Sequence, residues 1–233
     1  MPQGPVLPIE REGVSLRQMV VDRIRDLILY GTLEPGQKLV ERDLCGTLGV
    51  SRTLLREALQ QLQAQGLISN VLHRGPSVAI ITEQDARDIY VVRELLEASA
   101  GRGFTLNATD EQIDELDRNV QALRSLEVKS DPYALLTAKN TFYETLLKGC
   151  GNAVIAQVLT QLNNRTTILR RMSLAQPGRL PETIEELEEV VVAVRAREAD
   201  HVAELLAAHV ARAATVAFAG FIQNDPDAVP ASA

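Results

Sequence analysis

The chain of 233 residues contains no tryptophan, two cysteines and three histidines, and aromatic residues make up only 3% of it. Each shortage removes a class of protein. Cys45 and Cys150 lie too far apart in sequence to mark a disulfide framework or a zinc cluster, and two free thiols fit a reducing compartment. The histidines, His73, His201 and His209, form no pair at metal-binding spacing, and there is neither a glycine-rich phosphate loop nor a nucleophile elbow. No known enzyme signature is therefore present. So few aromatics argue against a ligand site built as an aromatic cage. No stretch reaches the roughly 18 uninterrupted apolar residues of a membrane span. The first residues, with Pro2, Pro5 and Pro8, show no basic-then-apolar leader. The expectation is a cytoplasmic protein without membrane contact.

What is present is 45% apolar residues, enough to bury a core in one large or two small domains. The net charge of −7 is unevenly spread: residues 15–80 carry +2 and residues 81–233 carry −8. Only the front half therefore suits an anionic polymer as partner.

In that front half Ser15 can cap a helix whose apolar positions Leu16, Val20, Ile24, Leu27 and Ile28 repeat every three or four residues up to Gly31. Segment 33–39, too short and turn-rich for a helix, reads as a small strand after a turn. A second helix runs from Glu41 to Leu48 and stops at Gly49, and Ser51 caps a third that ends at Gly66. Two helices joined by a short glycine-containing turn form a helix-turn-helix. Strands over 68–72 and 77–81, joined by His73-Arg74-Gly75-Pro76, complete a wing. Residues 15–81 thus read as a winged helix-turn-helix domain behind a disordered tail, 1–14.

The remainder has long amphipathic helices with regular caps. Thr82 to Asp85 and Thr109 to Gln112 are capping boxes, Asp131-Pro132 starts another helix, and Gly149 to Gly151 is a break. Six helices are expected, over 83–102, 109–127, 132–149, 152–174, 181–197 and 200–221. The fold class is mostly α, an N-terminal winged helix with a small β-hairpin followed by an all-α bundle over 82–222 and a disordered tail, 223–233. The acidic run Glu182, Glu185, Glu186, Glu188 and Glu189 reads as a solvated face, its first member favoured by the helix dipole. Asn163, Asn164, Arg165, Arg170 and Arg171 can line a pocket or pair with acids.

A guanidinium at the start of a recognition helix can make two hydrogen bonds to guanine in the major groove. Arg52 and Arg56, four residues apart, share one face of the third helix, and Ser51 and Thr53 offer hydroxyls to phosphate or base. Arg42 and the wing's Arg74 can clamp the backbone on either side. An arginine-bearing helix start can also be mere solvated surface; here the helix spacing, the glycine stop and the basic wing together favour DNA.

Segment 33–39, then Glu41-Arg42-Asp43-Leu44, Ser51-Arg52-Thr53 with Arg56-Glu57-Ala58-Leu59, Gly66-Leu67 and Arg74-Gly75, resembles the GntR family of bacterial transcription regulators. The resemblance implies that Arg42, Ser51, Arg52, Thr53, Arg56, His73 and Gly75 touch DNA; Leu54 departs from the proline many members carry. From Asp85 to Phe221 the chain resembles the helical ligand-binding domain of the FadR subfamily, through Val92 to Glu97, Phe142, Gly151-Asn152, Ala193-Val194 and His209. Many members hold a divalent metal through one Asp or Asn and three His. That pattern falls here on Lys139, Tyr143, Leu187 and His209, so no metal or other cofactor is expected; Asn140 adds one ligand only if the register slips by one.

The residues left at that place are polar in an apolar setting. Arg93 and Lys139 are expected to supply the positive charge that a metal supplies in relatives, with Asn140, Tyr143 and His209 as hydrogen-bonding partners of an effector. The alternative is that Arg93 pairs with Glu97, Lys139 snorkels to solvent and His209 is a satisfied core residue. The expected whole is a homodimeric repressor on a two-fold symmetric double-stranded operator, released by a small organic acid, phenolic compound or acyl-CoA ester. A metal-dependent carboxylate sensor and a docking module that binds no DNA are the rivals.

Overall fold

The computed structural model describes residues 15–71, 75–126 and 132–223. In chain order these form α1 (Leu16–Leu29), α2 (Glu41–Leu48), α3 (Arg52–Ala64), β1 (Ile68–Val71), β2 (Gly75–Val78), α4 (Glu83–Asn107), α5 (Asp110–Arg124), α6 (Pro132–Gly149), α7 (Ala153–Leu174), α8 (Arg179–Arg195) and α9 (Ala199–Gln223). Tails 1–14 and 224–233, and the wing residues His73 and Arg74, lie outside the described residues.

Spacing of apolar residues decides the front core. Val20, Val21, Ile24 and Ile28 of α1 face Leu55, Ala58, Leu59 and Leu62 of α3, and Leu67, Ile68 and Val78 close the cluster from the hairpin. Ser15 and Ser51 cap α1 and α3, each accepting a hydrogen bond from the backbone three residues on. Gly49, at φ +66°, ends α2 in the left-handed region that other residues reach at a cost.

Segment 33–39 holds the expected turn, closed by Gln37 N donating to Glu34 O, and the strand after it is reduced to a bridge of Lys38 to Ser77. Gly36 N and Leu39 N donate to the Val78 and Pro76 carbonyls, and Gln37 O accepts from Val78 N, so the segment lies along β2. Pro35 has no amide hydrogen to give a ladder, and Gly36 sits at φ +78°. The hairpin is antiparallel, with Ile68 opposite Val78 and Val71 opposite Gly75, so β2 begins two residues before the expected 77 and ends at 78. The register follows burial. Ile68 and Val78 pair inside the core, whereas Ile80 is exposed and the alternation stops there.

In the rear, Thr82 and Thr109 both close complete capping boxes, with Asp85 and Gln112. Helix α4 runs five residues past its expected end. Gly101 and Gly103 do not break it; they admit neighbours, since a Cβ on Gly101 would stand 2.1 Å from Leu206 Cδ1 and one on Gly103 2.1 Å from the Cys150 carbonyl oxygen. Helix α4 packs most extensively along α9. A stretch of α9, Ala199–Ala219, is long and apolar enough to cross a membrane by composition, but here it is a bundle helix against α4, α7 and α8. The two halves meet along α7, where Ile168 enters the front core and Met172 touches both cores.

Candidate nucleic-acid interface and buried polar cleft

Helix α3 buries one side and offers the other. Arg52, Thr53 and Arg56 are exposed beside the capping Ser51, and Arg42 projects from α2 with 84% of its side chain exposed, touching only its neighbour Asp43. Arg56 Nε bonds both carboxylate oxygens of Glu41 at 3.0 Å. This pair stiffens the guanidinium across the helix-turn-helix while leaving it 65% exposed. Gly75, at φ +75° with open space around it, starts β2 and lets another backbone approach the wing. Five of the eight residues expected to meet DNA, Arg42, Ser51, Arg52, Thr53 and Arg56, thus belong to the two helices and the turn between them.

In the rear domain a buried polar band crosses α4, α6, α7, α8 and α9. Arg93 Nε donates to Glu97 Oε1 at 2.8 Å, the pairing expected of a purely structural arginine, and both side chains are buried. Its Nη1 and Nη2 have no partner, and neither Glu97 Oε2 nor the facing Tyr143 hydroxyl completes a well-formed hydrogen bond. Arg170 lies over the Tyr143 ring, 3.8 Å from its centroid, and donates from Nη1 to Asn140 Oδ1 at 2.7 Å, while its Nε has no partner. Burial pushes the Tyr143 phenol up, so it stays protonated.

Further along the band, Arg179 makes a two-pronged pair with Glu186, at 2.7 and 2.8 Å. Glu186 also accepts from Arg212 Nε at 2.6 Å and from His209 Nδ1. Burial alone would raise the Glu186 carboxyl, but hydrogen bonds from His209 and Arg179 bring it well below the usual range. Burial and the neighbouring Lys139 lower His209 to about 4, so at neutral pH it is an uncharged donor to Glu186. Lys139, 1% exposed, does not snorkel; burial and then Arg170 and Arg179 push its ammonium far down. Glu186 corrects the solvated reading of the acidic run: it points inward, 8% exposed, among exposed neighbours Glu182 and Glu185.

A cleft of about 70 Å³ opens into this band between α6 and α7, lined by Glu97, Asn140, Tyr143, Asn163, Thr166 and Arg170 among others. Of the residues expected to hold an effector, Asn140 and Tyr143 line it, whereas Arg93, Lys139 and His209 lie outside its lining, in the band. Arg170, open in the sequence between lining a pocket and pairing with an acid, lines the cleft, as does Glu97, which is expected only as a partner of Arg93. The donor set does not fit a divalent metal: the four places hold an amine, a phenol, a leucine in the core and one imidazole whose Nδ1 is already engaged. Among the described residues no three of His, Cys, Asp and Glu come together as ligands.

Comparison with known proteins places both halves. Residues 16–78 match the model of bacterial regulatory proteins, gntR family, and residues 88–212 match the FCD domain. A "Probable D-xylose utilization operon transcriptional repressor" of Paenarthrobacter nicotinovorans is 28% identical over 200 residues, covering 84% of this chain and 87% of that protein. The regulator McbR of Escherichia coli is 24% identical, covering 79% and 85%. The solved structure of E. coli McbR/YncC superposes with a TM-score of 0.78 at 22% identity, over 90% of this chain and all of that one. A transcriptional regulator GntR from Rhodococcus sp. RHA1 gives 0.74 at 22%, over 87% and 97%. The chain therefore belongs to the gntR family of bacterial regulatory proteins, a transcriptional regulator and not an enzyme, with an FCD domain behind its DNA-binding winged helix.

Proposed function

We propose that this regulator is a cytoplasmic homodimeric repressor that holds a two-fold symmetric operator and releases it when a small organic acid enters the α6–α7 cleft, without a metal. The observation that carries the reading is the unsatisfied positive charge of the buried band. Arg93 and Arg170 share the one buried carboxylate of Glu97, since Glu186 is taken up by Arg179, and Arg93 Nη1 and Nη2 and Arg170 Nε complete no hydrogen bond. Buried guanidinium groups without acceptors are costly, and a carboxylate supplies acceptors in matching geometry. The DNA contacts are Arg42, Ser51, Arg52, Thr53 and Arg56 with the wing's His73, Arg74 and Gly75. The effector contacts are Asn140, Tyr143 and Arg170, backed by Arg93, Lys139 and His209.

The cleft favours small acids over the other effector classes. At about 70 Å³ it is far below the roughly 300–1,000 Å³ of sites for larger ligands, so an acyl-CoA ester would have to part the helices. Repression is supported by the Paenarthrobacter relative, a probable operon repressor. For the dimer, Val91, Leu95 and Leu106 form an apolar stripe on the exposed side of α4, and a second copy doubles the few base pairs one head can read.

Two measurements test this. Selection of duplexes from random DNA, followed by footprinting, should yield a two-fold symmetric protected site; asymmetric or absent protection defeats the operator reading. Chelator-treated protein should be stabilised thermally by small carboxylates and lose DNA affinity with them, and a requirement for zinc or nickel would overturn the metal-free site.

A further inference from the structure

Helix α7 presents two faces to two different things. Asn163, Thr166 and Arg170 line the cleft. On the side roughly 150° around the helix, Asn164, Arg165, Ile168, Arg171 and Met172 turn to the reading head. Ile168 is buried in the head's core, and Asn164 Nδ2 donates to Gln65 Oε1 at 3.4 Å. Arg171 Nη1 donates to the carbonyls of Ile28 at 3.3 Å and Leu29 at 3.2 Å, the last residues of α1. The Arg165 guanidinium lies against Gly66, just past α3, where a Cβ would stand 2.8 Å from its Nη2.

Helix ends carry unpaired carbonyls and the negative end of the dipole, which a cation relieves. Neither α1 nor α3 has a basic residue in its own last turn. Helix α7 supplies one to each. Both turns are glycine at positive φ, +82° at Gly31 and +72° at Gly66, and a Cβ on Gly31 would stand 2.4 Å from Arg171 Nη1. The other cleft helix, α6, reaches the same place: the Tyr133 ring lies tilted against that of Tyr30 with centroids 4.1 Å apart, and Thr137 Oγ1 lies 3.4 Å from the Tyr30 hydroxyl.

We infer that Arg165 and Arg171 are positioning residues for DNA recognition: from α7 they hold the C-terminal turns of α1 and α3, and through α7 the cleft sets the angle of the reading head. This rests on the DNA-binding and effector reading above and names the part that joins them. Arg170 and Arg171 are carried by the same turn of α7, so a movement of that helix which brings the first towards a bound anion draws the second from the α1 carbonyls. A ligand moves such an equilibrium only by its differential contacts, and Arg170 supplies them.

The test uses the full-length protein and the duplex selected by the wild type, rebuilt with base pairs inserted between its half-sites. Arg171→Met, alone and with Arg165→Met, should lower hydrogen-exchange protection of the Tyr30, Gly31 and Leu33 amides by about tenfold, the loss of one charge-assisted bond. It should also flatten the preference for one half-site spacing while leaving the half-site sequence preference intact. Arg171→Lys, which can still donate to the carbonyls, should restore both. Arg170→Met, which touches no reading-head residue, should move the preferred spacing. If Arg165→Met/Arg171→Met keeps wild-type protection and spacing, the inference falls while the operator reading stands. If that variant does not fold, the single variants decide between the same two outcomes. If the wild type selects no duplex, both fall.

Discussion

A histidine in an unfolded chain takes up a proton below about pH 6.5, whereas His209 in the folded protein refuses it until about 4. Lys139 and Arg179 oppose that proton from α6 and α8, and Glu186 favours it but is outweighed by burial. The unfolded state therefore binds more protons between these values. Stability is at its full level above 6.5 and is lost as pH falls towards 4. Between pH 7 and pH 5 the loss from this residue should be about 2 kcal/mol. Urea unfolding of the wild type and of His209→Gln at the two pH values measures it as the part the substitution removes, since Lys139, also held far below its ordinary value, adds a loss of the same sign. Glu186 acts in the same direction only below the ordinary carboxylate range, so it does not blur the window. A second outcome concerns the sealed pair on α4. Arg93→Ala strands the Glu97 carboxylate and should cost about 3–5 kcal/mol, and adding Glu97→Ala should recover part of it in a double-mutant cycle.

At the scale of elements, α3 and α2 should divide their labour. Arg52→Ala or Arg56→Ala is expected to cost about 1–3 kcal/mol of operator affinity and to relax the base preference at one position, while Arg42→Ala weakens all duplexes alike and lowers the salt slope. Fluorescence anisotropy at two salt concentrations separates the two. In α4 two effects of opposite sign compete at Gly101. Alanine raises helix propensity by about 1 kcal/mol, but its Cβ would collide with Leu206 Cδ1. Overpacking of this kind costs about 1–3 kcal/mol, so Gly101→Ala should lower the urea midpoint. The same glycine marks the limit of what a sequence can say. Caps announce themselves at Ser15, Ser51, Thr82 and Thr109 because a hydroxyl and the backbone N–H it accepts from lie three residues apart, a local relation. Whether Gly101 breaks a helix or admits Leu206 depends on a residue more than a hundred positions away. In segment 33–39 the turn is local and legible, whereas how short the strand after it becomes depends on its distant partner, Ser77. Glu186 looks solvated in the sequence because Arg179, His209 and Arg212, which draw it inward, come together only in the folded bundle. The cap and span of the reading helix are legible in the sequence, whereas among the cleft residues it leaves Arg170 open between pocket and ion pair and offers Glu97 only as a partner of Arg93.

For the whole molecule, the apolar stripe of Val91, Leu95 and Leu106 sets the expected assembly. Leu95→Glu would place two like charges near a two-fold axis. Sedimentation at micromolar concentration should then show monomer, with affinity for the symmetric duplex falling and half-site binding kept. A wild-type monomer would remove this face from consideration. The scarcity of aromatics has a practical sequel. Without tryptophan, the near-ultraviolet signal rests on four tyrosines and four phenylalanines. Tyr30 and Tyr133 touch ring to ring across the junction of the two halves, and Tyr143 lies beneath Arg170 in the cleft. Near-ultraviolet circular dichroism of the unlabelled protein is therefore a direct optical gauge of both the occupied cleft and the turning of the head.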